Sequence, residues 1–359
     1  MGAITGNLKK ERDTNLELFR IVVMLLIVAH HYFVNSGLKE LVDSQPATTQ
    51  SYYLYLLGMW GKTGINCFVL ITGYFMCKSQ ITLNKFLKLI LEVYFYKIVI
   101  GLLFMLTGYE PITFNSIVKI LLPINNLDHG FVSAFLIYYL FIPFLNVAVN
   151  NISKRKHEWL IALCLLVYCV FAKRGSITLN YVAWFAVLHI IASYLRFYSI
   201  PKIKNAKSWG IITFVFVILS CLSVFIMRSF FQSHGVYWFV SDSNAPLALL
   251  TGIAAFMFFK NLKVQQSKLI NIVASTTFGV LLIHANSDAM RQWLWKDTLQ
   301  NMSYFGTSMG WIHPVVSVIA VFAVCSLIDY IRQRYVEKPL LPIIIRCVES
   351  SIQSIKGRY

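Results

Sequence analysis

At 359 residues, with 57% hydrophobic and only 13% charged residues, the chain has the composition of a polytopic membrane protein and not of a soluble domain. Its formal charge of +17 comes from short basic clusters between apolar segments. This arrangement is typical of membrane orientation signals, so we expect no nucleic-acid partner. Seven cysteines without a C-x-x-C spacing predict neither a disulfide framework nor a metal site.

Apolar windows of about 20 residues predict an all-α bundle of ten transmembrane helices. They lie near 14–35, 52–77, 84–107, 130–150, 157–173, 178–198, 208–228, 243–260, 270–286 and 310–334. Basic residues concentrate in alternate connections, near 9–12, 78–88, 154–156, 196–207, 260–268 and 332–358. This asymmetry predicts that both termini lie in the cytoplasm.

The basic segment that precedes the first apolar stretch is similar to a signal peptide. It lacks a small-residue cleavage site and Arg20 interrupts the apolar stretch, so we expect the segment to be retained. We therefore expect one membrane domain over residues 1–359, with no appended soluble domain.

The first predicted helix carries an unusual set of polar groups: Glu17, Arg20, His30 and His31. Such groups are costly in a span unless they face a protein interior or a wet cavity. Arg20 and His31 are eleven residues apart, which places them about 20° apart around the helix and about 16 Å apart along it. Glu17 shares that face. His30 points about 100° away from His31, so we expect it to bond to another helix.

Other groups could belong to the same site. His129, His284 and His313 fall at predicted helix ends on the side of His31 and could line one mouth with it, or be ordinary interfacial residues. At the opposite side, Lys85 and Lys88 are one helical turn apart and could grip phosphates, or simply orient the chain. Glu92 could pair with Lys88, four residues earlier. The histidines have no H-x-x-x-H spacing, so no metal is expected.

Several segments, in order, resemble the integral-membrane acyltransferase-3 family. Residues 16–31 are similar to its R-x10-H signature, and residues 64–75 to its second helix. Lys85 and Lys88 stand where the family has two arginines. The segments 131–146, 277–284 and 330–340 are similar to three later family motifs. Gly130 and Phe131 stand near an expected tryptophan, and Leu281 or Leu282 replaces the usual tyrosine.

This resemblance implies an O-acyltransferase of the bacterial polysaccharide type in the cytoplasmic membrane. It would move an acyl group, usually acetyl, from cytoplasmic acetyl-CoA to a hydroxyl of a cell-surface polysaccharide or lipid-linked sugar. Arg20, Lys85 and Lys88 would hold the coenzyme. The catalytic candidates are His31, as general base or acyl carrier, and Glu17, which we expect to orient Arg20. His129, His284 and His313 would lie on the substrate side.

Two hypotheses from other functional classes compete with the acyltransferase interpretation. A transporter or flippase of a lipid-linked sugar would use the same polar groups, but it predicts repeated halves, and residues 1–180 and 181–359 show no convincing repeat. A membrane sensor or scaffold would leave Arg20 and His31 without a role. The chain has no phosphate-binding loop, dinucleotide fingerprint or nucleophile elbow, which argues against ATP-driven transport and soluble-hydrolase chemistry.

Overall fold

The computed structural model describes residues 13–122, 130–198, 205–231 and 235–356. Within these ranges all regular structure is helical. The α-helices, in chain order, are α1 (Thr14–Val34), α2 (Leu38–Asp43), α3 (Thr49–Gly58), α4 (Gly61–Met76), α5 (Leu83–Leu106), α6 (Phe114–Leu121), α7 (Phe131–Asn150), α8 (Lys154–Leu165), α9 (Tyr181–Phe197), α10 (Ala206–Phe231), α11 (Pro246–Asn261), α12 (Lys268–Ser275), α13 (Thr277–His284), α14 (Asp288–Arg291), α15 (His313–Arg332) and α16 (Lys338–Lys356).

Six helices of the described chain are long and apolar enough to cross a membrane. They are Thr14–Val34, Thr49–Met76, Leu83–Leu106, Phe131–Asn150, Ala206–Phe231 and His313–Ser351. A seventh span results if Lys268–His284 and Asp288–Tyr304, which meet at a bend of 96°, count as one broken span. The protein is therefore a multi-pass membrane protein.

The ten predicted segments all overlap helices, although not all of these helices are full-length spans. The segments near 178–198 and 243–260 correspond to α9 and α11, apolar helices of 17 and 16 residues. The segment near 157–173 corresponds to α8, continued by a π-helical stretch at Leu166–Phe171.

Helix α1 occupies the centre of the bundle and packs against α3, α4, α11, α12, α13 and α15. It runs unbroken for 21 residues, which agrees with the predicted 14–35. Its side chains are buried on several faces, including Leu16, Val23 and Val28. By contrast α10, which packs mainly on α11, leaves most of its apolar surface exposed to the bilayer. Most of α1, including Glu17, is therefore enclosed by protein.

Close approach of α4 to α1 depends on glycine. A Cβ atom built on Gly61 would lie 2.2 Å from the ring of His30, and one built on Gly64 would lie 2.7 Å from Ile27. These distances are far inside van der Waals contact, so only glycine lets the two helix backbones come this near. The pairing fixes how α1 is rotated in the bundle.

Candidate active site

His31 and Arg20 mark the two ends of the candidate site on α1. Because the helix is continuous between them, the rise of about 1.5 Å per residue separates them by about 16 Å along the axis. We call the two ends of the bundle the His31 end and the Arg20 end. The two groups therefore lie at opposite ends of the candidate site.

A hydrogen bond joins His31 to His284, the last residue of α13. The Nδ1 atom of His31 lies 2.9 Å from Nε2 of His284, and Nδ1 of His284 lies 2.6 Å from the carbonyl oxygen of Val280. A carbonyl can only accept, so His284 donates from Nδ1 and, when neutral, accepts at Nε2. His31 must then donate from Nδ1. This chain assigns the lone pair of His31 to Nε2.

His30 lies next to His31 but has a different role. Its Nδ1 atom is 2.5 Å from the carbonyl oxygen of Gly58, at the end of α3, and its ring packs against Gly61. The predicted bond from His30 to another helix is confirmed. His30 thus holds α1 against α3 and α4 while His31 faces α13.

The side of His31 away from Arg20 is closed by an aromatic group. The fully buried ring of Trp295 packs edge-on against both His284 and Tyr32, with centroids 6.3 and 6.0 Å apart. The Tyr32 hydroxyl lies 2.8 Å from Nδ1 of His313, and the His313 ring stacks on Tyr304 with centroids 3.8 Å apart. His284 thus touches His31 directly, whereas His313 is linked to the site through Tyr32. His129 lies outside the described residues.

Three buried polar atoms near the end of α1 have no hydrogen-bond partner within the described residues. They are Nδ2 of Asn35, Nε1 of Trp295 and Oδ1 of Asn301. Asn301 donates through Nδ2 to the carbonyl of Tyr32, at 2.9 Å, so all three belong to the surroundings of the last turn of α1. Buried polar groups are nearly always paired in proteins. Their presence indicates a place where a polar ligand or ordered water completes the structure.

At the Arg20 end, a cavity of about 1110 Å³ opens between the helix ends. Five cationic side chains line it, against three acidic ones: Arg20, Lys88, Arg196, Lys268 and Lys338, with Asp13, Glu17 and Glu337. The excess of positive charge favours an anionic ligand. Phe75 and Phe278 also line the cavity and give it an apolar surface. Arg196 and Lys268, whose positions in the sequence indicate only membrane orientation, also line this cavity.

Glu17 and Arg20 are ion-paired across one helical turn, with 3.8 Å between Oε1 and Nε. The Arg20 guanidinium also lies over the ring of Phe68, 6.0 Å from its centroid. The Glu17 side chain is 9% exposed and that of Arg20 is 24% exposed, so the acid is largely covered while the base reaches the cavity. Glu17 is therefore placed to orient Arg20, and the helix rise puts it about 21 Å from His31 along the axis.

The two lysines of the predicted phosphate-binding pair have different surroundings in the structure. Lys88 lines the cavity and pairs with Glu337, 2.5 Å away. Lys85 is exposed and donates to the Ser79 hydroxyl and the Gln80 carbonyl, at 2.8 and 2.9 Å. Only Lys88 of this pair is among the residues that line the cavity.

Glu337 connects Lys88 to a buried ionic cluster. Arg332 lies 2.7 Å from Asp329, 2.9 Å from Glu337 and 3.1 Å from Glu92. Glu92 pairs with Arg332 and not with Lys88, its neighbour at helical spacing. The cluster joins α5 to the junction of α15 and α16, and Glu337 is its member that lines the cavity.

An apolar crevice of about 1000 Å³ runs between α5 and α15 on the other side of His284. His284 forms part of its wall, and its rim carries the exposed side chains Val99, Leu103, Val324 and Ile328. Because these side chains face the surrounding lipid, the crevice opens laterally into the membrane. The imidazole pair therefore stands between an apolar crevice and the core of the bundle.

A family model for acyltransferases, described as an acyltransferase domain, matches residues 13–330, nearly the whole chain. The chain belongs to the acyltransferase-3 family. The protein is thus a membrane-bound acyltransferase, and the family resemblance noted in its motifs is confirmed. No curated protein and no solved structure matches the chain.

The matched region contains both parts of the candidate site on α1, together with His284. Within the described residues, no group of three or more histidine, cysteine, aspartate or glutamate side chains could hold a metal ion.

Proposed function

We propose that this acyltransferase is an O-acetyltransferase of a cell membrane. The resemblance to its family implies a bacterial cytoplasmic membrane. It moves an acetyl group from cytoplasmic acetyl-CoA to a hydroxyl of a cell-surface polysaccharide or its lipid-linked precursor. The observation that carries the proposal is the chain from Val280 through His284 to His31, which leaves Nε2 of His31 as a base. A general base of this kind accelerates acyl transfer by roughly 10²- to 10⁴-fold.

The proposed topology has ten membrane-spanning segments and both termini in the cytoplasm, in one membrane domain. The Arg20 end then faces the cytoplasm and the His31 end faces outward. Support comes from the basic connections at 78–88, 154–156 and 260–268, which would all lie on the cytoplasmic side. Acetyl-CoA would enter from the cytoplasm and the glycan from outside.

The cationic lining of the cavity at the Arg20 end supports acetyl-CoA, whose phosphates are anionic, as the donor. Arg20, with Glu17 orienting it, offers a planar fork to the phosphates of the coenzyme, and Lys88 adds an ammonium group. Arg196 and Lys268 face the same space. Lys85 is included in the proposal from its place in the family motif. The pantetheine arm would extend along α1 toward His31, whose distance is comparable to the length of that arm.

The transfer step uses the lone pair of His31. Nε2 removes the proton of the sugar hydroxyl while the hydroxyl oxygen attacks the thioester carbonyl. The new C–O bond forms, the C–S bond breaks, and the proton passes to the departing thiolate. Alternatively Nε2 attacks first, the C–S bond breaks and the coenzyme thiolate leaves. The sugar hydroxyl then attacks the acyl-imidazole, the C–N bond breaks, and the hydroxyl proton ends on the thiolate. Either way, His284 holds the imidazole in the reactive tautomer.

The proposal is tested with membranes from cells that express the protein and from cells that do not. Both are supplied with radiolabelled acetyl-CoA on the cytoplasmic side, and the label in the surface glycan is counted. We expect label only where the protein is present, and loss of it with Arg20→Ala at equal expression. Absence of label with the wild type, from acetyl or longer acyl donors, would contradict the proposal and favour a transporter of lipid-linked sugar.

A further inference from the structure

A second pocket opens at the His31 end of the bundle, apart from the imidazole pair. It has a volume of about 450 Å³ and lies between two connections, one joining α8 to α9 and the other joining α10 to α11. Lys39, which follows α1, also contributes to its lining, which places the pocket at the His31 end. The volume is within the range of small-molecule sites, about 300 to 1000 Å³.

The pocket combines an aromatic surface with hydrogen-bonding groups. Trp238 is 54% exposed and supplies a flat apolar face at the rim. Thr178, Ser241 and Asp242 add hydroxyl and carboxylate groups around it. Indole rings pack well against apolar C–H faces, while hydroxyl and carboxylate groups bond to hydroxyls. Sugars present both apolar C–H faces and hydroxyl groups, so a sugar suits this pocket.

The charges of the pocket are balanced. Lys173 lies 2.8 Å from Asp242 and 5.5 Å from the ring centroid of Trp238. Lys39 lies 2.5 Å from Asp43. Each lysine thus has a carboxylate partner, so the pocket offers no net charge to its ligand. An uncharged ligand suits it better than a phosphate or a uronic acid.

One buried group at this pocket lacks a partner. Asn244, which lines the pocket, is 2% exposed. Its Nδ2 donates to the Tyr168 carbonyl at 2.6 Å, whereas Oδ1 accepts no hydrogen bond within the described residues. A buried acceptor left unpaired costs stability unless a ligand or water completes it. This oxygen is an independent indication that the pocket receives a hydrogen-bond donor.

The base of the pocket is firmly attached to the helix bundle. The Tyr237 hydroxyl donates to the Tyr55 carbonyl at 2.8 Å, and Asn66 donates to the Ser243 carbonyl at 2.7 Å. Burial raises the pKa of Tyr237 well above its usual range, so its phenol stays a donor. Tyr237 also packs against Phe33, two residues after His31, with ring centroids 6.5 Å apart. The pocket is therefore rigidly connected to the last turn of α1.

We propose that this pocket binds an uncharged sugar unit of the acceptor glycan while another unit of the same chain is acetylated at His31. The inference rests on the proposed function, because it makes the pocket a subsite for that acceptor. Trp238 packs against the sugar ring, and Asn244 accepts a hydrogen bond from a hydroxyl or N-acetyl group. A polymeric acceptor is thereby held at two points, which favours glycans over monosaccharides.

The test is binding of maltotriose and of N,N′-diacetylchitobiose to the purified full chain in nanodiscs, measured by saturation-transfer NMR and calorimetry without any acyl donor. We expect at least one of them to bind. Trp238→Ala should weaken that binding about tenfold, and Asn244→Ala should also weaken it. Trp311→Ala, which removes a similarly exposed tryptophan near α15, is the matched control and should bind as the wild type does.

The proposed function and the subsite fail in different ways. His31→Ala should bind the oligosaccharide normally, because the subsite does not include His31. In transfer assays Trp238→Ala should raise the KM for the glycan and leave both kcat and the KM for acetyl-CoA unchanged. If neither oligosaccharide binds the wild type, or if Trp238→Ala and Asn244→Ala bind like Trp311→Ala, the subsite is wrong even when transfer is observed.

Discussion

His31 and His284 are 253 residues apart in the sequence, yet their ring nitrogens Nδ1 and Nε2 lie 2.9 Å apart. The Val280 carbonyl determines the direction of the hydrogen bond, since it can only accept from Nδ1 of His284. In the proposed mechanism His284 acts on the reaction through His31, as a positioning residue. The arrangement gives His31 one defined tautomer inside a membrane protein.

Replacement of His284 tests this relationship. In His284→Leu the acceptor for Nδ1 of His31 is lost, so His31 populates both tautomers and rotates more freely. We expect kcat to fall about 100-fold or more while the KM for acetyl-CoA stays the same. His284→Gln keeps a side-chain oxygen as an acceptor and should recover part of the rate. If His284→Leu and His284→Gln have equal rates, His284 has only a packing role.

The cavity at the Arg20 end predicts unequal roles for the two lysines of the family's basic pair. Lys88 lines the cavity, whereas Lys85 bonds to Ser79 and Gln80. Lys88→Ala should raise the KM for acetyl-CoA about tenfold, the effect of one lost charged hydrogen bond. Lys85→Ala should change it less. Steady-state kinetics at saturating acceptor would measure the KM for acetyl-CoA of both variants. A larger increase in Lys85→Ala than in Lys88→Ala would contradict the assignment of this cavity as the acetyl-CoA site.

The ionic cluster predicts a large loss of stability when its central base is removed. Arg332→Met leaves the buried carboxylates of Glu92, Asp329 and Glu337 without their shared partner. We expect a loss of about 3 to 5 kcal/mol, measured as a lower Tm in detergent. Arg334→Met, at an exposed position two residues later, is the control and should leave Tm nearly unchanged. Equal Tm values for the two variants would contradict a stabilising cluster.

The proposed topology predicts which exposed positions can be labelled from outside the cell. In a variant without native cysteines, Glu40→Cys and Asp297→Cys should react with an impermeant maleimide in intact cells. Lys154→Cys and Lys263→Cys should react only after the membrane is permeabilised, because we place both in the cytoplasm. Labelling of all four in intact cells, or the reverse pattern, would contradict the proposed orientation.

The sequence predicted α1 and its polar face well, because apolar length and helical spacing are local properties. It grouped His31 with three other histidines but could not tell which of them would touch it. Helical spacing orients a side chain around its own axis and says nothing about which helix packs there. The structure brings His284 to His31 and pairs His313 with Tyr32.

The charged residues show a different limit. Helical spacing predicted an ion pair between Lys88 and Glu92, yet Glu92 pairs with Arg332. A buried carboxylate needs several donors, and a guanidinium supplies more of them than an ammonium group. The cations Arg196 and Lys268 were counted only as orientation signals, because the cavity that gathers them is formed by the ends of separate helices.

The most direct test of the account compares the two adjacent histidines of α1. His31→Gln and His30→Gln make the same chemical change at neighbouring positions, but only His31 contacts His284. Label transfer from acetyl-CoA to glycan is measured for both at equal folded amount. We expect His31→Gln to lose at least about 100-fold in rate, while His30→Gln stays within a few-fold of the wild type. Equal rates for the two variants, or full activity of His31→Gln, would contradict the assignment of His31 as the base.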